Sequence, residues 1–145
     1  MLHDDPALRF LKGIWRVENA LERVSKRMED TLGISGPQRF ALRLISELPG
    51  VGAGELASAL HLHPSTVTGV VQRLESRGLI TRVSHATDGR RLHLHLTPAG
   101  KRILRPNMHG TVEHAARATL NATRPEKMRA VVAVLERFAD ELLNE

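Results

Sequence analysis

The chain has no cysteine among its 145 residues, which excludes a disulfide framework and any sensing chemistry based on thiol oxidation. It has no apolar run long enough to span a bilayer and nothing laid out like a secretory signal, so a soluble, cytoplasmic protein is expected. The combinations that would announce an enzyme are missing too: no nucleophile beside a base, no carboxylate pair, no metal triad and no phosphate-cradling loop. Ser65 stands in Pro64-Ser65-Thr66, without the glycines of a nucleophile elbow. Repeats and low-complexity segments are absent. At 41% hydrophobic residues, the composition suits one compact protomer with a modest core and no second, catalytic domain.

What is present gathers between residues 54 and 97. Pro64 and Gly78 bound a predicted helix over 64–78: proline suits a first turn that needs no N–H, and glycine suits the left-handed residue after the last turn. Val67, Val70, Val71 and Leu74 fall at i, i+3, i+4 and i+7, one buried face. The opposite face carries Ser65, Thr66, Thr68, Gln72 and Arg73, with Gly69 between them. Hydroxyls, an amide and a guanidinium there can reach base edges and phosphates without bulk.

A shorter helix is expected over 54–60, with Leu56, Ala57 and Leu60 inward, and His61-Leu62-His63 is short enough for the turn between the two. Segments 79–84 and 91–96 read as strands, the second strictly alternating, and the Asp88-Gly89 turn signal lies in a connecting loop over 86–90. Helix, turn, helix and basic hairpin make a winged helix-turn-helix, with the second helix destined for a DNA major groove.

Charge supports this reading. Residues 62–105 hold eight Lys and Arg (Arg73, Arg77, Arg82, Arg90, Arg91, Lys101, Arg102, Arg105) against Glu75 and Asp88, a net +6, so the remainder of a chain at +5 sums to −1. A merely solvated basic face would not have to coincide with the helix and wing that geometry brings to DNA, whereas a phosphate-binding surface must.

These residues resemble the MarR (multiple antibiotic resistance regulator) family of transcription factors. The likeness runs through Glu55-Leu56-Ala57, Ser65-Thr66-Val67-Thr68, Leu74-Glu75, Arg77-Gly78-Leu79-Ile80, Asp88-Gly89-Arg90 and Leu96-Thr97-Pro98-Ala99-Gly100, in order and at the family's spacing. A helix-turn-helix pattern is only moderately specific; the wing signature at a fixed distance before Leu96-Thr97 makes it much stronger. The resemblance is weakest over 101–122 and at the extreme N-terminus.

It implies a homodimer with intertwined terminal helices, a pseudo-palindromic operator in double-stranded DNA, and repression relieved by a small ligand. It assigns a wing contact to Arg90, with the basic Arg91 beside it, and gives Asp88 the task of holding the loop or orienting the arginine. Gly89 departs from the charged residue often found there.

The flanks fit such a dimer. Over 5–32, opened by Asp5-Pro6 and closed by Gly33, Ala7, Phe10, Ile14, Val17, Leu21, Val24 and Met28 form a heptad-like stripe suited to packing on partner helices. Ser35-Gly36-Pro37 opens a helix whose apolar positions are Phe40, Leu44, Ile45 and Leu48. Thr97-Pro98 opens another, with Ile103, Leu104, Val112, Ala115 and Ala116 inward and Pro106 kinking or breaking it. Thr123 to Glu126 has capping-box spacing before a final helix. Its apolar residues exceed one narrow face, which calls for burial against another chain.

The expected organisation is therefore an N-terminal dimerisation helix (1–34), a winged lobe (35–100) and C-terminal dimerisation helices (101–145). The fold class is mainly α with a small antiparallel β-wing.

Three features suggest other chemistry. His93 and His95 share a strand face near His85, but no carboxylate or cysteine completes a tetrahedral zinc set. His109 and His114, five apart on an expected helix, do not share a face. No metal or cofactor is therefore expected. Trp15, the chain's one tryptophan, reads first as packing; with Arg39 as the cation, it is also the candidate contact for an aromatic anionic effector in the pocket the family resemblance implies. The alternatives to a ligand-released regulator are a metal-responsive regulator and a winged module that binds protein.

Overall fold

The computed structural model describes residues 5–85, 88–106 and 108–144. The chain forms two compact units, one ending at Met108 and one beginning at His109.

In the first unit, α1 (Pro6–Leu32) starts where the Asp5 side chain accepts the N–H of Ala7 at 3.0 Å and ends at Gly33, whose φ of 70° returns its N–H to the Glu29 carbonyl. Of the apolar stripe, only Met28 is buried; Ala7, Val17 and Leu21 are exposed. A capping box opens α2 (Gly36–Glu47): Ser35 Oγ accepts the Gln38 N–H and Gln38 Oε1 accepts that of Ser35, both at 3.2 Å.

The core face of α2 differs from the one its apolar residues suggest. It is made of Gln38, Ala41, Leu42 and Ile45, with Arg39 also buried, while Phe40 and Leu48 are exposed. Two polar side chains can turn inward because each has hydrogen-bond partners there: Gln38 in the capping box, and Arg39 at the carbonyl of Ile103.

The helix-turn-helix consists of α3 (Ala53–Leu60) and α4 (Pro64–Ser76), with His61 left-handed at φ 52° in the turn. The sheet has three strands rather than two, in the order β1 (Val51–Gly52), β3 (Asp88–Leu96), β2 (Ile80–His85), all antiparallel. Two residues of β1 are too few for any periodicity to show. Pairing of β2 with β3 runs from Ile80 opposite Leu96 to His85 opposite Asp88, so residues 88–90 lie in a strand, not in the expected loop. The rest of that loop, 86–87, is outside the described residues. Leu94 at the centre of β3 joins Ile34, Leu42, Ile45, Leu56, Val67, Leu74 and Ile80 in one core.

Thr97 then caps α5 (Pro98–Ile103), its hydroxyl oxygen accepting the Gly100 N–H at 3.1 Å and donating to the Gly78 carbonyl at 2.6 Å. This helix ends three residues before Pro106, so the proline marks a break and not a kink.

In the second unit, α6 (Val112–Asn121) is capped by Thr111. No capping box opens α7 (Pro125–Leu143): its cap is Arg124, without a side-chain hydrogen bond, because the Thr123 hydroxyl donates to the Thr119 carbonyl of α6 at 2.7 Å. Ala115 and Ala116, expected inward, are exposed, and α7 buries no residue at all.

Two helical glycines give opposite expectations. A Cβ on Gly100 would overlap the carbonyl oxygen of Leu79, which is backbone and cannot swing aside, whereas one on Gly69 meets nothing within 4 Å. Gly100→Ala is expected to lose about 1–3 kcal/mol of stability through overpacking. Gly69→Ala should gain about 0.5–1 kcal/mol by reducing unfolded-state freedom. Urea titrations of both variants check the opposite signs.

Candidate nucleic-acid interface

The two faces of α4 are chemically separate. Val67, Val71 and Leu74 are buried, with Val70 half-buried at the core's edge, while Ser65, Thr66, Thr68, Gln72 and Arg73 are all exposed. The five helix residues singled out from sequence therefore share one solvent-facing surface. Its N-terminal turn is held by a residue that periodicity did not flag. His63 is the N-cap: its Nδ1 accepts the Ser65 N–H at 3.2 Å and lies 2.7 Å from Ser65 Oγ. Its position just before a first-turn proline is the only sequence signal, and histidine is not among the residues that usually cap.

The basic residues divide into two groups. Arg82 on β2 pairs with Glu75 of α4 at 2.8 Å, tying the helix to the hairpin. Arg77 lies at the C-terminal end of α1, where a Cβ on Gly33 would stand 3.2 Å from its Nη1. That last turn has no basic residue of its own, and a cation there is favoured by the helix dipole. Two of the eight cations of 62–105 thus reach other parts of the protein, Arg82 half-buried and Arg77 still exposed, as are Arg73, Lys101, Arg102 and Arg105. Asp88, Arg90 and Arg91 belong by backbone to β3; their side chains, like that of His85, lie outside what is described.

His93 and His95 of β3 both lie against Gly50, at the β1 side of the sheet. His93 Nδ1 donates to the Gly50 carbonyl at 2.7 Å, and the His95 ring would stand 3.6 Å from a Cβ on Gly50. His109 and His114 do come together, with ring centroids 4.3 Å apart. The expected spacing failed because His109 precedes α6 instead of lying on it. Among the described residues, no group of three or more His, Asp or Glu is placed to hold a metal ion.

Trp15 and Arg39 occupy different environments. Trp15 is 55% exposed on α1, while Arg39 is 2% exposed, with Nη1 donating to the Ile103 carbonyl and 3.6 Å from the Met108 sulfur. The groove where α1 meets the start of α2 is lined by Glu18, Glu22, Glu29 and Lys26 among others, an acidic balance unsuited to an anion.

The sequence profile of the MarR family matches residues 34–92. An HTH-type transcriptional repressor of Mycobacterium tuberculosis is 30% identical over 97% of this chain and 99% of its own length. The chain belongs to the MarR family. It is a transcriptional regulator of the MarR type, with that family's mainly helical winged helix-turn-helix fold. It is also similar to the homoprotocatechuate degradative operon repressor of Escherichia coli, 32% identical over 67% of this chain and 65% of that repressor.

Two solved structures share the MarR fold along nearly the whole length. PcaV from Streptomyces coelicolor, in complex with its natural ligand, has a TM-score of 0.72 at 26% identity, covering 97% of this chain and 95% of PcaV. A MarR family transcriptional regulator from the same organism, in complex with DNA, has a TM-score of 0.78 at 22% identity, covering 98% and 94%. No helix among the described residues is long and apolar enough to cross a membrane.

The buried Arg39 contact gives a stability expectation. Arg39→Met keeps the apolar stem and removes the donor to the Ile103 carbonyl, so about 1.5–3 kcal/mol should be lost, the worth of a hydrogen bond involving a charged group. A denaturant midpoint unchanged from that of the parent protein would show the contact to be dispensable.

Proposed function

We propose that the chain is a dimeric repressor that binds a pseudo-palindromic operator in double-stranded DNA and releases it when a small ligand binds. The observation that carries this reading is the division of α4: an apolar edge sealed in the core and a continuous face of Ser65, Thr66, Thr68, Gln72 and Arg73 left to solvent beside a basic hairpin. Such a face, at a helix width that fits the major groove, reads bases with its N-terminal residues. Arg90 and Arg91 extend the contact from the wing, and Asp88 supports it. The action is one of binding without catalysis, in the cytoplasm, where the operator is.

The partner is a second copy. Residues 1–34 and 101–145 form the dimerisation region around the lobe at 35–100. The exposed apolar side chains of α1 (Trp15, Val17, Leu21) and α7 (Val131, Val134, Leu142) supply the surface, since covering them removes apolar area from water. Release by a ligand is supported by the relatives: PcaV was solved with its natural ligand, and the Escherichia coli relative is named for a degradative operon.

The contacts proposed for an aromatic anion are Trp15, for its ring, and Arg39, for its charge. Release follows if the ligand favours a lobe spacing that does not match the operator.

Sedimentation should find a dimer at micromolar concentration; a stable, folded monomer would sink the assembly proposal. Selection from random DNA should yield half-sites about 10 base pairs apart, centre to centre. Gln72→Ala should relax preference at particular bases. Arg90→Ala should weaken binding to every site and lower the salt slope by about one counterion. Asp88→Ala should also weaken binding although it removes a negative charge; tighter binding would show that Asp88 does not support the wing contact.

A further inference from the structure

We propose that His63 sets the hydrogen-bond polarity of Ser65 on the reading face, so that Ser65, with Thr68 one turn on, presents acceptors to the major groove and selects bases whose exocyclic amino group lies in that groove. This deepens the operator-binding function proposed above and rests on it. His63 Nδ1 takes the N–H of Ser65 at 3.2 Å. A backbone N–H can only donate, so Nδ1 carries no proton and the ring proton is on Nε2. The Ser65 hydroxyl, 2.7 Å from the same nitrogen, must therefore direct its own proton there. One turn on, the Thr68 hydroxyl donates to the Pro64 carbonyl at 3.0 Å.

Both hydroxyl protons are thus committed inside the protein, and Ser65 Oγ and Thr68 Oγ1 have only lone pairs to offer a ligand. In the major groove, lone pairs match the N6 amino group of adenine and the N4 amino group of cytosine; they are opposed by O6 and N7 of guanine and by O4 of thymine. Gly69, adjoining Thr68, leaves open space beside it, so a base edge can come close. His63 is then a positioning residue: it decides through Ser65 which bases are accepted.

The test uses the full-length protein and an operator selected from random DNA. Each adenine or cytosine of one half-site is replaced in turn by its analogue lacking the amino group, purine or 2-pyrimidinone. Binding is compared for the parent, Ser65→Ala/Thr68→Val, His63→Ala and His63→Asn. At one or two positions, amino deletion should weaken the parent about three- to tenfold, the worth of one neutral hydrogen bond.

The double variant should be insensitive at those positions, and its ratio to the parent cancels any loss of base-pairing strength. His63→Ala, which frees the Ser65 proton, should lose part of the discrimination; His63→Asn, which keeps an acceptor at the cap, should retain it. A purely structural cap would lower affinity for all DNA alike and leave the ratios unchanged. A selected operator that tolerates amino deletion at every position, or equal discrimination by His63→Ala and the parent, overturns the polarity proposal alone. Failure to select any sequence overturns the operator-binding function with it.

Discussion

Four hydrogen bonds around Gly78 and Leu79 fix how the exposed face of α4 stands relative to the hairpin. The Leu79 N–H closes α4 onto the Leu74 carbonyl, and the Leu79 carbonyl accepts the Thr97 N–H from the end of β3. The Thr97 hydroxyl donates to the Gly78 carbonyl and accepts the N–H of Gly100 in α5. Helix, sheet and the following helix meet at one point, and the meeting is possible only because Gly100 has no side chain to push Leu79 away. The Glu75–Arg82 ion pair adds a second tie a turn earlier. The polar face of α4 and the strands of the hairpin therefore behave as one block, which a surface that must match the pitch of a DNA groove requires.

A different constraint governs the terminal helices. The helix-turn-helix closes its own core, but α1 buries only Met28 and α7 buries nothing. Apolar surface left this open is favourable only when something covers it. A protomer of this kind links its folding to its assembly by mass action, so that stability depends on concentration.

Much of this arrangement was readable from sequence where local chemistry and periodicity agree. Asp5-Pro6 and Gly33 bracket α1, Pro64 and Gly78 bracket α4, and Val67, Val71 and Leu74 mark its inner edge. Reading failed where a side chain's partner is distant in the chain. Nothing local tells that Arg39 reaches a carbonyl 64 residues away, so the apolar residues of α2 do not by themselves mark its core face, and Phe40 is exposed. β1 is two residues long and exists only because β3 offers it an edge. Sequence does not distinguish the eight cations of 62–105 from one another, whereas Arg77 reaches the end of α1 and Arg82 pairs with Glu75. The cap at His63 is not legible because an imidazole caps a helix only where its surroundings leave the right ring nitrogen free to accept, which residue type does not tell.

Trp15, finally, makes the uncovered side of α1 optically visible. It is the chain's one tryptophan and is 55% exposed, on the same helix as Val17 and Leu21. An indole in water emits further to the red than one surrounded by apolar groups, and no second indole contributes background. Whatever settles over that part of α1 will register as a blue shift in the emission of the unlabelled protein.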